Sequence, residues 1–327
     1  MQKYEYHYSP YTRYTKKSKI DVLLSWGIVV VSFCILFVLV YSIYKIATRN
    51  IIQNVVISPV ADSVVSSVDN MRRMVFPEKL DAVVQSALSG SDGTYAVAIK
   101  NLKTGEAYYY NQGKKFQSAS LYKLWVLGEA YRQIENKKLD KDKVLKAEVS
   151  EINKKFDIAS ESAELTEGVV TARVQDAIQQ MIVISSNYSA LLLVTEIKLS
   201  SVSKFLKDYG FSDSKTGSPP TTTARDIESF FEKLYAGLLG SKDSTASMIA
   251  TLQSQQLNDR IPKYLPEDIE VAHKTGELDG YKHDAGIVFA PSGDYIIVIL
   301  SKTSDEGKAA EREAVLSKAV YEYFEGK

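Results

Sequence analysis

The chain has one cysteine, Cys34, and three histidines, His7, His273 and His283, among 327 residues. A lone thiol excludes an intrachain disulfide. So few imidazoles leave little room for a histidine-based triad or a zinc site. His7 lies in a polar N-terminal tail, and His273 and His283 sit on strand-like runs without His-x-x-x-His spacing. Both are expected to be satisfied structural residues, with no metal and no cofactor. Neither sign of charge is in excess: Lys+Arg and Asp+Glu number 40 each, and formal net charge is +0 at pH 7. A nucleic-acid binder would carry a basic excess, so no nucleic-acid partner is expected. Internal repeats are absent, and the length allows one or two domains.

One long stretch lacks charge altogether. Val22–Tyr44 carries no Asp, Glu, Lys, Arg or His, and as a helix it spans about 34 Å, enough to cross a bilayer. A buried core helix of that length would show a polar face, and Ser25, Ser32 and Ser42 do not make one. The run exceeds most signal peptides and leads into Lys45-Ile46-Ala47-Thr48-Arg49 rather than a small-residue cleavage site. Cys34, inside it, reads as a small apolar residue. The expectation is an uncleaved single-pass anchor in the lipid bilayer. Lys3, Arg13, Lys16, Lys17 and Lys19 precede it, against Lys45 and Arg49 just after. That asymmetry puts the N-terminus inside and the bulk of the chain outside. The organisation is then a tail at 1–21, a transmembrane helix at 22–44, a connector at 45–77 and a folded domain at 78–327.

Periodicity and breakers give the domain's elements. Pro77 and then Glu78–Leu88 predict a helix, Thr94–Lys100 and Glu106–Asn111 strands, and Ser120 to about Asn136 a helix. A mostly helical section covers about 171–255, with a helix start at Thr221–Thr223. Strands follow near 269–275, 282–290 and 294–301, then a helix from about Asp305 to Phe324. The charged run Lys137–Lys146 reads as a solvated face or loop. Helix, strands, helical insert, strands, helix describes an α+β fold: an antiparallel sheet flanked by helices, with an all-helical subdomain.

Three short motifs carry chemistry: Ser120-Leu121-Tyr122-Lys123, Ser185-Ser186-Asn187 and Lys274-Thr275-Gly276. They hold the polar groups a serine nucleophile needs when no histidine serves it. Lys123, one helical turn from Ser120, can take the hydroxyl proton if burial and neighbouring positive charge lower its pKa. Ser185 can relay a proton to a leaving nitrogen. Asn187 can hold Lys123 and a substrate amide, and Lys274 and Thr275 can meet a substrate carboxylate. Single motifs also occur elsewhere, at Ser201–Lys204, Ser212–Lys215, Lys103–Gly105 and Lys215–Gly217. Context separates these: Lys103–Gly105 reads as a hairpin turn and Lys215–Gly217 as a loop before Pro219-Pro220.

Ser-x-x-Lys, Ser-x-Asn and Lys-Thr-Gly in this order resemble the signature of class A β-lactamases and penicillin-binding proteins. The flanks Phe116–Leu124, Ala177–Leu193, Thr221–Asp226, Ala272–Leu278 and His283–Ala290 agree, and the likeness covers about residues 78 to 325. It implies a β-lactamase/transpeptidase-like fold and acylation of Ser120 by a β-lactam or a peptidoglycan D-alanyl peptide. Lys123 would be the base or its partner and Ser185 the proton donor to the departing nitrogen. Asn187, Lys274, Thr275 and Gly276 would bind substrate. The backbone amides of Ser120 and Glu277 would form the oxyanion hole. It also implies a bacterial cytoplasmic membrane, with the domain extracytoplasmic.

Two departures stand out. The second motif has Ser186 in place of aspartate. The Ω-loop that carries the deacylating glutamate in class A β-lactamases is here only Phe211–Pro220, with Asp213 and no glutamate. Glu161, Glu164 and Glu167 precede the second motif and so lie outside that loop. The resemblance therefore implies acylation followed by slow hydrolysis. A penicillin-binding D,D-peptidase, or a non-catalytic wall-binding or β-lactam-sensing module, remains open beside it.

Overall fold

The computed structural model describes residues 77–326. The expected tail at 1–21, the transmembrane helix at 22–44 and nearly all of the connector at 45–77 lie outside the described residues. Among the described residues no helix is long and apolar enough to cross a membrane.

The domain is α+β. Helix α1 (Glu78–Leu88) leads into β1 (Thr94–Asn101), β2 (Ala107–Tyr110) and the short β3 (Phe116–Gln117). A single 3-10 turn, Ala119–Leu121, opens α2 (Tyr122–Glu135). Then come β4 (Val144–Glu148), α3 (Val149–Lys155), β5 (Val169–Arg173), α4 (Val174–Val183), α5 (Asn187–Ile197) and α6 (Leu199–Asp208). After β6 (Thr221–Thr222) follow α7 (Ala224–Tyr235), α8 (Lys242–Gln253), β7 (Glu270–Leu278), β8 (Tyr281–Phe289), β9 (Tyr295–Lys302) and α9 (Glu306–Glu325). The main sheet is five-stranded and antiparallel in the order β2-β1-β9-β8-β7. Strand β7 is thus an edge, beside the turn that opens α2.

Each central strand buries both faces, and alternate residues enter different cores. Ala96 and Ala98 of β1 and Ile296, Val298 and Leu300 of β9 join the core under the helical part. Tyr95, Val97 and Ile99, with Ile297 and Ile299, point the other way and pack with Leu80 and Val84 of α1 and Leu316 and Val320 of α9. Burial on both faces explains why these strands read as nearly unbroken apolar runs. Helix α2 is the axis of the helical part: Leu124, Trp125, Val126, Leu127 and Ala130 are all buried, as are the polar Lys123 and Glu129.

Gly128 sits where α2 crosses α6. A Cβ there would lie 2.4 Å from the Phe205 ring, and Phe205 is itself buried against Tyr209 and Phe211. Gly128→Ala should therefore overpack this crossing and cost about 1–3 kcal/mol. Thermal unfolding should show Tm lowered by several degrees; an unchanged Tm would mean that Phe205 can move aside freely.

Some boundaries differ from expectation. Strand β7 runs on to Leu278, so Lys274-Thr275-Gly276 lies inside the strand rather than at its end. Gly276 is needed there because β7 crosses the turn before α2: its Cβ would lie 3.1 Å from Leu121 Cγ and 3.2 Å from the Ser118 carbonyl. The charged run Lys137–Lys146 ends in β4, which pairs with β5 as a separate two-stranded ribbon. Only Leu145 of β4 is fully buried, so the ribbon's charged outer face hides its strand character. Thr221-Thr222 forms β6 against β3, and the helix start falls one residue later, where Thr223 Oγ1 accepts the Asp226 N–H at 3.2 Å.

Candidate active site

Ser120 lies in the 3-10 turn at the start of α2. Ala119, before it, has φ +44°, a left-handed conformation that a non-glycine residue adopts only under local constraint. The constraint is visible on three sides. The Ser118 N–H donates to the Pro220 carbonyl at 2.9 Å, β3 pairs with β6, and the Leu121 N–H closes onto the Ser118 carbonyl at 2.9 Å. His283 of β8 adds a tie at 2.9 Å between Nε2 and the Gln117 carbonyl, and its Nδ1 accepts the Ser301 N–H at 3.0 Å. Full burial pushes the His283 imidazolium down to about 4, so a neutral ring with the proton on Nε2 fits this pattern. Among the described residues the Ser120 hydroxyl has no hydrogen-bond partner.

Lys123 is one turn further along α2 and fully buried. Its Nζ donates to the Ser185 carbonyl at 2.5 Å and to Asn187 Oδ1 at 2.8 Å, and lies 3.2 Å from Ser185 Oγ. Ser185 has φ +57°, and this left-handed conformation turns both its carbonyl and its hydroxyl toward the lysine. Ser186 caps α5: its Oγ accepts the Ser189 N–H at 3.2 Å. Serine and aspartate are both good N-caps, so the departure from Ser-Asp-Asn preserves the turn. Lys274, buried on β7, reaches the same hydroxyl, with Nζ 3.0 Å from Ser185 Oγ and 2.8 Å from the Thr275 carbonyl. Thr275 is buried beside it, its Oγ1 3.5 Å from Lys274 Nζ.

The electrostatics follow from this crowding. Burial lowers Lys123 to about 7, against the raising pull of Glu164. Burial and the Lys123 charge together hold Lys274 well below the usual lysine range. Burial accounts for the lowering at Lys123, whereas the expected contribution of Lys274 is not seen there. One hydroxyl bridges both amines. A neutral Lys123 spends its N–H groups on the Ser185 carbonyl and Asn187, leaving its lone pair for a proton. Ser185 Oγ can then accept from Lys274 and donate to Lys123, which makes a proton path between them.

Glu277, next after Gly276, is fixed through its side chain. Its carboxylate lies 2.6 Å from Arg260 Nη2 and 2.7 Å from Lys282 Nζ. Burial alone would raise this carboxyl, but the Lys282 bond and the Arg260 charge hold it below the usual range. Arg260 comes from the segment between α8 and β7 and is 1% exposed; nothing in its sequence context singles it out. His273 pairs with buried Asp284 at 2.9 Å and serves the strand pair rather than the nucleophile. Among the described residues no group of His, Cys, Asp or Glu side chains could hold a metal ion.

One acidic residue outside the 211–220 loop nevertheless reaches the site. Glu164 precedes the second motif, yet its carboxylate accepts a short hydrogen bond from Asn187 Nδ2. Asn187 thereby joins Lys123 through its oxygen to Glu164 through its nitrogen. Asp213, the acid of the 211–220 loop, uses its backbone N–H on Asp226 Oδ2 at 2.9 Å, the role of a turn residue.

Solved structures of known proteins share this fold. A β-lactamase from Sphaerobacter thermophilus is 22% identical, with a TM-score of 0.67 over 76% of this chain and 97% of its own. A class A β-lactamase from Bacteroides cellulosilyticus is 20% identical, with a TM-score of 0.65 over 76% and 98%. A PBP-A variant, solved as an acyl-enzyme complex with penicillin G, is 19% identical, with a TM-score of 0.69 over 77% and 98%. No curated protein matches the chain by sequence. The family model for the beta-lactamase enzyme family matches residues 78–324, which spans all three motifs and the sheet that carries them. The chain belongs to the β-lactamase enzyme family, the class A-like serine hydrolases.

Proposed function

We propose that the domain is an acyl-transfer enzyme in which Ser120 attacks the amide carbonyl of a β-lactam or a D-alanyl peptide. The observation that carries this reading is that Lys123, one helical turn after Ser120, is held by Ser185 and Asn187, with Lys274 on the same Ser185 hydroxyl. Lys123, with its lowered pKa, takes the Ser120 proton as the acyl bond forms. Ser185 passes a proton to the departing nitrogen, replenished from the now protonated Lys123. A substrate carboxylate binds at Lys274 and Thr275 and favours the charged form of Lys274, which leaves Lys123 free to act as base. The backbone amides of Ser120 and Glu277 stabilise the oxyanion. The PBP-A acyl-enzyme with penicillin G lends support from a protein of the same fold.

Hydrolysis of the acyl-enzyme is slow in this proposal. The 211–220 loop holds no glutamate, and its Asp213 is engaged as a turn residue. Slow turnover suits a wall peptidase, or a sensor, that β-lactams trap. We further propose that Val22–Tyr44 anchors the chain in a bacterial cytoplasmic membrane with the domain outside; its lack of charge and the basic residues before it support this. The test is to label the full-length protein in detergent with a fluorescent penicillin and chase with unlabelled drug. Label persisting for many minutes is expected. Label lost within seconds while penicillin is consumed would replace the slow enzyme with a working β-lactamase.

A further inference from the structure

Residues 156–168 form the loop between α3 and β5, and a buried side chain pins it beside the site. The Tyr188 hydroxyl lies 2.7 Å from the Leu165 carbonyl and 2.8 Å from Asn153 Oδ1, and accepts the Leu165 N–H at 3.2 Å. Asn153 Nδ2 donates to the same carbonyl at 2.8 Å. Tyr188 is the residue after Asn187 and only 6% exposed. The two residues that fix the loop and receive its carboxylate are therefore consecutive at the start of α5. The loop backbone is thus fixed beside Asn187, and the exposed Glu164 side chain reaches Asn187 from it.

The consequence concerns substrate. Asn187 Oδ1 is committed to Lys123, so an incoming acyl-side carbonyl must use Nδ2. Glu164 already accepts from Nδ2. A neutral acyl donor thus brings a second acceptor oxygen against a carboxylate on a single NH2 group, and the two repel. A donor with an ammonium group next to that carbonyl puts a cation between them. The surroundings suit one: Glu164, Asn187, Tyr122, Tyr188 and Ser162 line a cavity of about 220 Å³ that is open to solvent, and aromatic faces favour cations.

Resting on acylation at Ser120, we propose that Glu164 is a specificity-determining residue that selects acyl donors carrying a cationic amine beside the acyl-side amide carbonyl. Benzylpenicillin and ampicillin test this, because they differ only by such an amine. Second-order acylation rates of the full-length protein are measured for both at pH 6.5, where an α-amine is mostly protonated. Wild type should prefer ampicillin. Glu164→Gln should lower the ampicillin-to-benzylpenicillin ratio about five-fold, the upper range for an exposed ion pair. Glu164→Asp should restore part of the preference, and added salt should erode it in wild type. Any change in Lys123 basicity cancels in the ratio, and benzylpenicillin labelling of each variant reports that it is folded. An unchanged ratio overturns the proposal. So does an unchanged ratio with slower deacylation of both drugs, which would make Glu164 a base for water. If wild type is acylated by neither drug, the acyl-transfer reading itself fails and this one with it.

Discussion

Ser120→Ala should abolish covalent labelling by a fluorescent penicillin, with signal at background at every time and concentration. The effect is all or none because the label is the acyl bond itself, and no other hydroxyl can replace the lost one. Ser185 Oγ is the nearest alternative in the motif set, but it is bridged between Lys123 and Lys274. The fold should be unaffected. The turn is held by backbone bonds from Ser118 and Leu121 and by the His283 tie, none of which uses the Ser120 side chain. Unfolding curves of wild type and variant should superimpose. Labelling that survives in Ser120→Ala would move the nucleophile elsewhere and remove the basis of the proposed function.

Lys123→Arg should slow acylation about a thousand-fold, the order expected when a general base is lost. Arginine keeps the charge but holds its proton at any working pH. It must also fit a bulkier head into a site where the ammonium has two close acceptors and no solvent. Acylation of wild type should follow pH in the direction a basic amine dictates. With Lys123 held to about 7 by burial, the unprotonated form falls about ten-fold per pH unit below that value. The rate should climb up to about pH 7 and level off above it. Glu164→Gln removes the charge that raises Lys123, so its midpoint should move to lower pH. A rate independent of pH between 5 and 9 would sink the assignment of Lys123 as base.

Much of the site was legible because its chemistry is local. Ser120 and Lys123 share a helical turn, Ser185 and Asn187 share a cap, and Lys274 and Thr275 share a strand, so each motif survives as a short string. The sheet was legible too, because strands buried on both faces leave long apolar runs. What failed were inferences that needed long-range contact. Glu164 lies 21 positions before Ser185 in sequence, yet Tyr188 folds its loop back over the motif. Arg260 reaches Glu277 from a segment with no regular pattern. Gly276 suggested the end of a strand, whereas it marks the crossing of two segments too close for a side chain. The β4–β5 ribbon was hidden because its outward residues are charged or exposed.

The pairing at the centre of the sheet bears on how the domain is made. Strand β1 has two neighbours: β2, just after it, and β9, whose Lys302 pairs with Thr94. A nascent chain therefore has the β1–β2 hairpin long before the strand that must cover its other edge. Until α9 emerges, the core formed by Val97, Ile99, Leu80 and Leu316 lacks one wall. Such non-local closure is slow, and it leaves an apolar edge open to wrong partners during synthesis. The helical part, built from neighbours in sequence, can form first, but the site cannot, because Lys274 and Thr275 arrive with the closing sheet. Activity should therefore appear only after the last helix has docked, and a chain truncated before β9 should gain helices without gaining a nucleophile.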